Sequence, residues 1–419
     1  MFKSDASMST VAGALKNAAG MKTLEARDFK GAALESALDE GNAIYFERFK
    51  MCVVDPKEGM SQLAMLSALE SVQQARPEFY MFAISEAERR YNEWVRAGLM
   101  LLADGAPSMG AQALPVRATE MTVAGTPIAD TNEFTWGLIA VGASRSSLTG
   151  RGVKVAVLDT GIDLQHPDFV GRSIVTESFI PNETVQDKQG HGTHTAGTVA
   201  GPATSTMGRR YGVAPDVDLH VGKVLNNQGT GREAEIINGI NWAIDKKCAV
   251  ISMSLGRPTA VGEKPDPFYE EVGAVALREG SIIVAAAGNN SFRDFNHIAP
   301  VGAPANSPSI FAVAAIDPKM GVAPFSCGGL NPDGGEVNIS GPGTLVYSSV
   351  PRPELSKVLQ GTSMACPHVA GVAALWVQSD PALRGQALWN KLERTARELG
   401  IRRDFGRGLV QAPGMGPTS

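Results

Sequence analysis

Cysteine is scarce in this sequence: Cys52, Cys248, Cys327 and Cys366 are the only four among 419 residues. Four thiols this far apart make no disulfide framework, and their spacing matches no zinc motif. Reduced thiols are the expected state. No apolar stretch reaches the length that spans a bilayer, so no membrane partner is expected. The opening segment, MFKSDASMSTVAGALKNAAG, lacks the apolar centre of a secretory signal. The expected location is therefore cytoplasmic, or outside the cell by a non-standard route. Basic runs are missing as well. Lys and Arg number 38 against 43 Asp and Glu, a formal charge of −5, which gives no footprint for nucleic acid. What remains is an ordinary globular composition, 43% hydrophobic and 19% charged, long enough for two or three domains or one large domain with an extension.

No segment repeats. Residues 1 to about 40 are polar and rich in small side chains, a partly helical or loose region. From Asn42 to Val54, NAIYFERFKMCVV reads as a strand. In SQLAMLSALESV, Leu63, Leu66, Leu69 and Val72 recur on one face of a helix, and PEFYMFAI reads as another strand. Ser85 and Glu88 form a capping box for a helix to about Ala103, with Tyr91, Val95, Leu99 and Leu102 on its apolar face. Residues 1–105 thus read as a small α+β unit. Residues 106–132 are rich in Gly, Pro, Ala and Thr without period, the best linker in the chain.

From 133 to 419 short apolar runs alternate with helical stretches. VKVAVL, LHVGKVL, AVISMSL, SIIVAAA and IFAVAAI read as buried strands, EAEIINGINWAIDKK and CPHVAGVAALWVQ as helices. That alternation predicts an α/β fold, a mainly parallel sheet with helices on both faces.

Four places carry chemistry. Asp159 ends the run VKVAVL and opens DTGIDLQHPDF, at the carboxyl end of a strand, where open α/β sheets place their ligand sites. GHGTHTAG holds His191 and His194 three residues apart. There is no HExxH motif and no third ligand, so zinc is not expected; His191 reads as facing the Asp159 strand and His194 as a buried structural residue. In LQGTSMACPHVAG, Ser363 lies between a glycine turn and a helix start. Pro367 fits only an early helical position, so Ser363 projects from a helix N-terminus, whose partial positive charge favours anions. Asn289 in VAAAGNN follows a small-residue strand, which allows either a plain turn residue or an amide aimed at an oxyanion.

The order Asp, His, Ser with these flanks resembles the subtilisin-like serine protease family. DTGID, HGTH, SMSLG, AAAGN and GTSMACPH occur in register, with YGVAP, INGINWAI and GLVQA as further echoes, over about Trp136 to Ala412. The resemblance implies a serine endopeptidase working through an acyl-enzyme, with Asp159, His191 and Ser363 as the triad and Asn289 as an oxyanion donor. No cofactor is needed for that chemistry. Ser254, Leu255 and Gly256 on one side, and Gly229, Thr230 and Gly231 on the other, are implied to pair with a polypeptide substrate as an added strand. Ala286, Ala287, Gly288 and Gly302 are implied to form the pocket for the residue before the cut bond. It is small-walled and uncharged, hence a preference for Leu, Met, Phe or Tyr. Glu233 near the outer pocket adds a taste for basic residues further upstream. Asp168 aligns with a structural calcium position, but the loop GPATSTMGRRYG departs from the family pattern, and Arg209 and Arg210 oppose a cation.

The same resemblance implies that residues 1–105 are a propeptide that inhibits the protease intramolecularly, with self-cleavage expected in the flexible stretch between Ala103 and Asn132. Two alternatives share the fold: a peptide ligase or macrocyclase, and an inactive binding scaffold. No large insertion that would exclude water separates the motifs, and the four chemical residues are intact, which disfavours each in turn.

Overall fold

The computed structural model describes residues 1–29, 33–55, 60–83, 126–331 and 333–414. The N-terminal unit begins with helix Met8–Ala19, capped by the Ser7 hydroxyl and ended by Gly20, with Val11 and Leu15 buried. Strand β1 (Thr23–Glu25) and helix Ala33–Asp39 follow, so the first forty residues are more ordered than their composition suggests. The segment read as one strand is a hairpin. Residues 47–49 form a 3₁₀ turn and Lys50 takes φ +51°, which folds β3 (Met51–Val53) back on β2 (Ala43–Phe46). β1 pairs with β2 in parallel. Helix Met60–Ser67 is shorter than its periodicity predicts, and PEFYMFAI supplies β4 (Tyr80–Ala83). The helix expected from Ser85 to Ala103, with Tyr91, Val95, Leu99 and Leu102, lies outside the described residues, as does 106–125 of the expected linker. Residues 126–132 run along the surface, held by hydrogen bonds and by half-buried Ile128: the Ile128 N–H donates to Pro318 O, and Asp130 accepts from the Trp136 N–H.

The larger unit is built on seven parallel strands: β5 (Lys154–Asp159), β6 (Val175–Ser178), β7 (Asp218–Lys223), β9 (Val250–Met253), β11 (Ile282–Ala286), β12 (Phe311–Ile316) and β13 (Ile339–Pro342). Their order is β13-β12-β11-β9-β5-β7-β6. Between them in sequence lie the short strands β8 (Thr230–Arg232) and β10 (Leu255–Gly256), and a hairpin of β14 (Val346–Ser349) and β15 (Ser356–Leu359) follows. All five apolar runs are in the sheet. β6 and β13 escaped the reading because VTES and ISGP carry no apolar run. Side-chain alternation along β5 feeds two cores. Val155 and Val157 pack with Ala196, Val199 and Val369 from helices His191–Ala200 and Thr362–Ser379. Ala156 and Leu158 pack with Ile236, Ile240 and Val272 from helices Glu233–Asp245 and Pro267–Arg278.

The N-terminal sheet joins that second core through Ile44, Phe46, Phe49 and Met51. Arg48 pins the contact, with Nη2 2.6 Å from Asp245 and Nε 2.9 Å from Glu279. β4 leaves its own unit and lies antiparallel between β10 and β8.

Helix Thr362–Ser379 packs closely on the segment that precedes β7 because Gly371 has no side chain. A Cβ there would fall 2.5 Å from Val213 Cβ and 2.8 Å from its Cγ1. In a solvated helix Gly→Ala stabilises by about 1 kcal/mol. Here the sign reverses: Gly371→Ala is expected to destabilise by about 1–3 kcal/mol through overpacking, read as a lower urea midpoint at unchanged m-value. An unchanged or raised midpoint would show that Val213 yields freely.

Candidate active site

Asp159 is fully buried at the end of β5. Its Oδ1 accepts from the Thr160 N–H at 2.7 Å, and its Oδ2 from the Thr195 hydroxyl at 3.1 Å. The Nδ1 of His191 stands 2.8 Å from Oδ1 and 3.0 Å from Oδ2. A buried carboxylate is costly unless hydrogen bonds replace its lost hydration. It fixes the imidazole tautomer, with the proton on Nδ1 and Nε2 turned the other way.

His191 opens its helix on Gly190, whose φ of +103° suits only glycine. Gly192 lets that turn touch the β5 loop, since a Cβ would meet Gly161 O at 2.3 Å. Asp187, which the sequence motifs did not single out, organises the approach. Its buried carboxylate accepts from the N–H groups of Gln189, Gly190 and Thr193 and from the hydroxyls of Thr160 and Thr193. An anion with such donors belongs at a helix N-terminus. Lys223, fully buried and in register with Asp159 across β7, donates to Thr160 O at 2.6 Å and pairs with Glu183 at 3.2 Å. Burial pulls its ammonium below the usual lysine value.

His194 is buried, with Nε2 against Val346 O at 3.1 Å and Lys357 O at 3.2 Å. Burial, with His191 nearby, pulls its pKa down to about 3, so it is neutral.

Ser363 is the second residue of its helix and fully buried. Pro367 is the sixth residue, deeper than the first turn to which the sequence reading confined it. It cannot donate to Ser363 O, four residues back. The Ser254 hydroxyl takes that donor's place at 2.8 Å, while Ser363 Oγ donates to Ser254 O at 3.2 Å. The proline thus ties the serine to the strand beside the groove. Asn289 Oδ1 accepts from the N–H and the hydroxyl of Thr362, both at 2.9 Å. The oxygen being held, the amide nitrogen faces the other way, beside Gly361. A Cβ on Gly361 would lie 3.0 Å from Asn289 Nδ2 and 3.6 Å from Ser363 N. Glycine there keeps open the space bordered by both donors.

β4 runs through the predicted substrate positions. Phe82 is in register with Thr230 and Gly256, Met81 with Gly231, and Ala83 with Leu255. Gly229 O accepts from the Ala83 N–H at 2.7 Å. Ala286 ends β11; Ala287 O accepts from the Gly302 N–H, and Gly288 N–H donates to the Thr362 hydroxyl. A Cβ at Gly302 would approach Arg257 O to 2.6 Å, so only glycine fits between the two pocket walls. Glu233 accepts from Arg76 and from the Phe79 N–H.

Asp168 does not fit a calcium ion. Its carboxylate accepts from the Ser205 hydroxyl (2.7 Å), the Thr206 N–H (2.7 Å), the Thr206 hydroxyl (2.8 Å) and the Tyr211 hydroxyl (2.8 Å). Four donors saturate one carboxylate. Among the described residues no group of three or more His, Cys, Asp or Glu gathers to hold a metal. Asp163 pairs with Arg352 at 2.9 Å. All four cysteines are free thiols. Among the described residues no helix is long and apolar enough to cross a membrane.

Residues 150–408 match the profile of the Subtilase family, Peptidase S8. The chain belongs to the subtilase family. It is 40% identical to Subtilisin E of Bacillus subtilis (strain 168) over 264 residues, 62% of this chain and 65% of that protein. To Subtilisin of Bacillus pumilus it is 40% identical over 264 residues, 62% of this chain and 90% of that one. The chain thus spans just under two thirds of the length of Subtilisin E. Among solved structures, a cold adapted subtilisin-like serine proteinase superposes with TM-score 0.51 at 30% identity, covering 64% of this chain and 89% of that one. These matches place the subtilase unit on the seven-stranded sheet and leave the N-terminal unit outside the family profile.

Two expectations follow for this subtilase. Thr362→Val removes one of the two donors to Asn289 Oδ1 and the acceptor of the Gly288 N–H. It is expected to lower kcat about tenfold at nearly constant KM, the loss of roughly one hydrogen bond's worth of positioning; a change in KM alone would assign Thr362 to substrate binding. At Asp168, burial would raise the carboxyl, but the bonds from Ser205, Thr206 and Tyr211 outweigh it and hold the pKa below the usual value. Its stabilising contribution is therefore present above the unfolded value of about 4 and is lost as pH falls through the lower folded value. Asp168→Asn is expected to cost about 1–3 kcal/mol at pH 7 and to flatten the acid limb of stability. A melting temperature raised by calcium in the wild type, and not in Asp168→Asn, would restore the ion to this site.

Proposed function

We propose that this subtilase is a serine endopeptidase that hydrolyses polypeptides through an acyl-enzyme, and that its N-terminal unit is an intramolecular inhibitor removed by self-cleavage. One observation carries the reading: β4 fills the groove between β8 and β10 and ends at Ala83, in register with Leu255. The hydroxyl of Ser363 bonds to the carbonyl of Ser254, the residue before Leu255. A substrate strand that kept this antiparallel register beyond the partner of Leu255 would set its next residue opposite Ser254 and make it the one before the cut bond. On this reading the cut bond is Ile84–Ser85 in the sequence, upstream of the stretch between Ala103 and Asn132 that composition suggested.

The chemistry follows from the site. His191 Nε2 takes the Ser363 proton as Oγ attacks the carbonyl, and Asp159 stabilises the imidazolium. The oxyanion forms beside Asn289 Nδ2 and the Ser363 N–H, at a helix N-terminus. His191 then returns the proton to the leaving amine, and water reverses the sequence to release the acid.

Burial along β4 adds a preference upstream of the cut bond. Met81 and Ala83 are buried, while Tyr80 and Phe82 are exposed. By this register the groove reads a small residue second before the cut and an apolar one fourth before it. The small walls of Ala286, Ala287, Gly288 and Gly302 suit a large apolar residue just before the cut, since an unpaired charge there is costly.

An intact-mass time course tests the proposal. Wild type is expected to lose residues 1–84, leaving Ser85 as the new N-terminus, and Ser363→Ala to stay at full length. A cut between Ala103 and Asn132 alone would refute the register. Cleavage in Ser363→Ala would refute self-processing. Asn289→Ala is expected to lower kcat about 10²–10³-fold, a magnitude borrowed from subtilisin itself, with little change in KM. A raised KM at constant kcat would make it a binding residue.

A further inference from the structure

The N-terminal unit places one arginine, Arg76, against acidic and aromatic side chains of the subtilase unit, while its own Phe79 ring, 4.7 Å from the guanidinium, and Pro77 O, 2.7 Å from Nη1, complete the surroundings. Arg76 Nη1 lies 2.6 Å from Glu233 Oε2, and Nη2 lies 3.0 Å from Glu233 Oε1 and 2.6 Å from Asp266 Oδ2. Both carboxylates therefore grip the same nitrogen. The guanidinium stacks 4.5 Å from the ring centre of Phe268. The receiving side chains are nearly dry: Glu233 is 4% exposed and Asp266 8%. They are also held in place. Asp266 caps helix Pro267–Arg278 through the Phe268 N–H at 2.8 Å, and Glu233 begins helix Glu233–Asp245. The buried Tyr269 hydroxyl interacts electrostatically with Glu233, Arg76 and Asp266, and has no hydrogen-bond partner among the described residues. Of the groups named, only Arg76, Pro77 and Phe79 come from the N-terminal unit.

Removal of that unit takes away the cation and opens to water two carboxylates that face each other across a gap shaped for a guanidinium. Like charges at such range are costly without a cation, and a planar fork fits two carboxylates and a ring face better than an ammonium does. Glu233 also accepts from the Phe79 N–H at 2.8 Å. The pocket thus holds a side chain and, three residues on, the backbone of the same chain.

We propose that Glu233, Asp266 and Phe268 form an arginine-binding subsite of the mature enzyme, which selects polypeptides carrying arginine upstream of the groove at the spacing of Arg76 to Met81. This rests on the self-cleavage and release of the N-terminal unit proposed above. It extends the expected basic preference at Glu233 from one carboxylate to a built site with a defined register.

The test uses internally quenched peptides that copy residues 74–87, QARPEFYMFAISEA, with Arg, Lys or Ala at the Arg76 position, given to the full chain after it has processed itself. The expected kcat/KM is about 10- to 100-fold higher for Arg than for Ala, the range of charge-assisted hydrogen bonds in a desolvated site, with Lys between. The Arg-to-Ala ratio is expected to shrink in Glu233→Gln and in Asp266→Asn, and to approach one in the double variant. Equal cleavage of the Arg and Ala peptides by processed enzyme overturns the subsite alone. A ratio that persists in the double variant does the same. A chain that stays at full length by mass and cuts neither peptide overturns the maturation reading, and with it the open state the subsite requires.

Discussion

A carboxylate with no exposure to water must be paired, and Asp159 sets the terms for everything around it. Its partners are a backbone N–H, a threonine hydroxyl and His191. To bring them together, β5 has to end where helix His191–Ala200 begins, and Gly192 has to allow that helix to touch the Gly161 turn. Asp187 then anchors the helix start, and Lys223 supplies a buried cation on the next strand. Removing one member of such a network leaves others buried without partners, which is why small changes there are costly. The price in stability is accepted for one imidazole orientation.

The second constraint is the groove. Among the described residues, no strand of the subtilase unit pairs with the facing edges of β8 and β10, and an extended chain is the natural partner for such edges. β4 meets that demand from within the same chain. The groove and the triad are coupled through one proline. Because Pro367 has no N–H, Ser363 O is left for Ser254, and Ser254 precedes the strand that pairs with β4. Substrate strand and nucleophile are thereby held to one frame.

Much of this was legible in the sequence, for specific reasons. The five apolar runs are buried on both faces, so their composition betrays them. Asp159, His191, Asn289 and Ser363 sit at element boundaries within fixed short motifs. What escaped was set by tertiary contact. β6 and β13 are short and carry polar or turn residues. The hairpin at Lys50 depends on a left-handed residue inside an apolar segment. Asp187, Thr362 and Arg76 act through tertiary partners, Arg76 and Glu233 standing 157 residues apart, and no local pattern marks them. The Asp168 carboxylate matched a calcium position by alignment, yet three hydroxyls and an amide saturate it here.

The central claim is that Asp159 and His191 activate one serine at the end of a strand-lined groove. A fluorophosphonate that phosphorylates activated serines tests it most directly, with the adduct located by peptide mass. The account predicts a single adduct at Ser363 in processed enzyme, its rate falling by orders of magnitude in His191→Ala. An adduct on another serine, or equal labelling of Ser363 without His191, would contradict it.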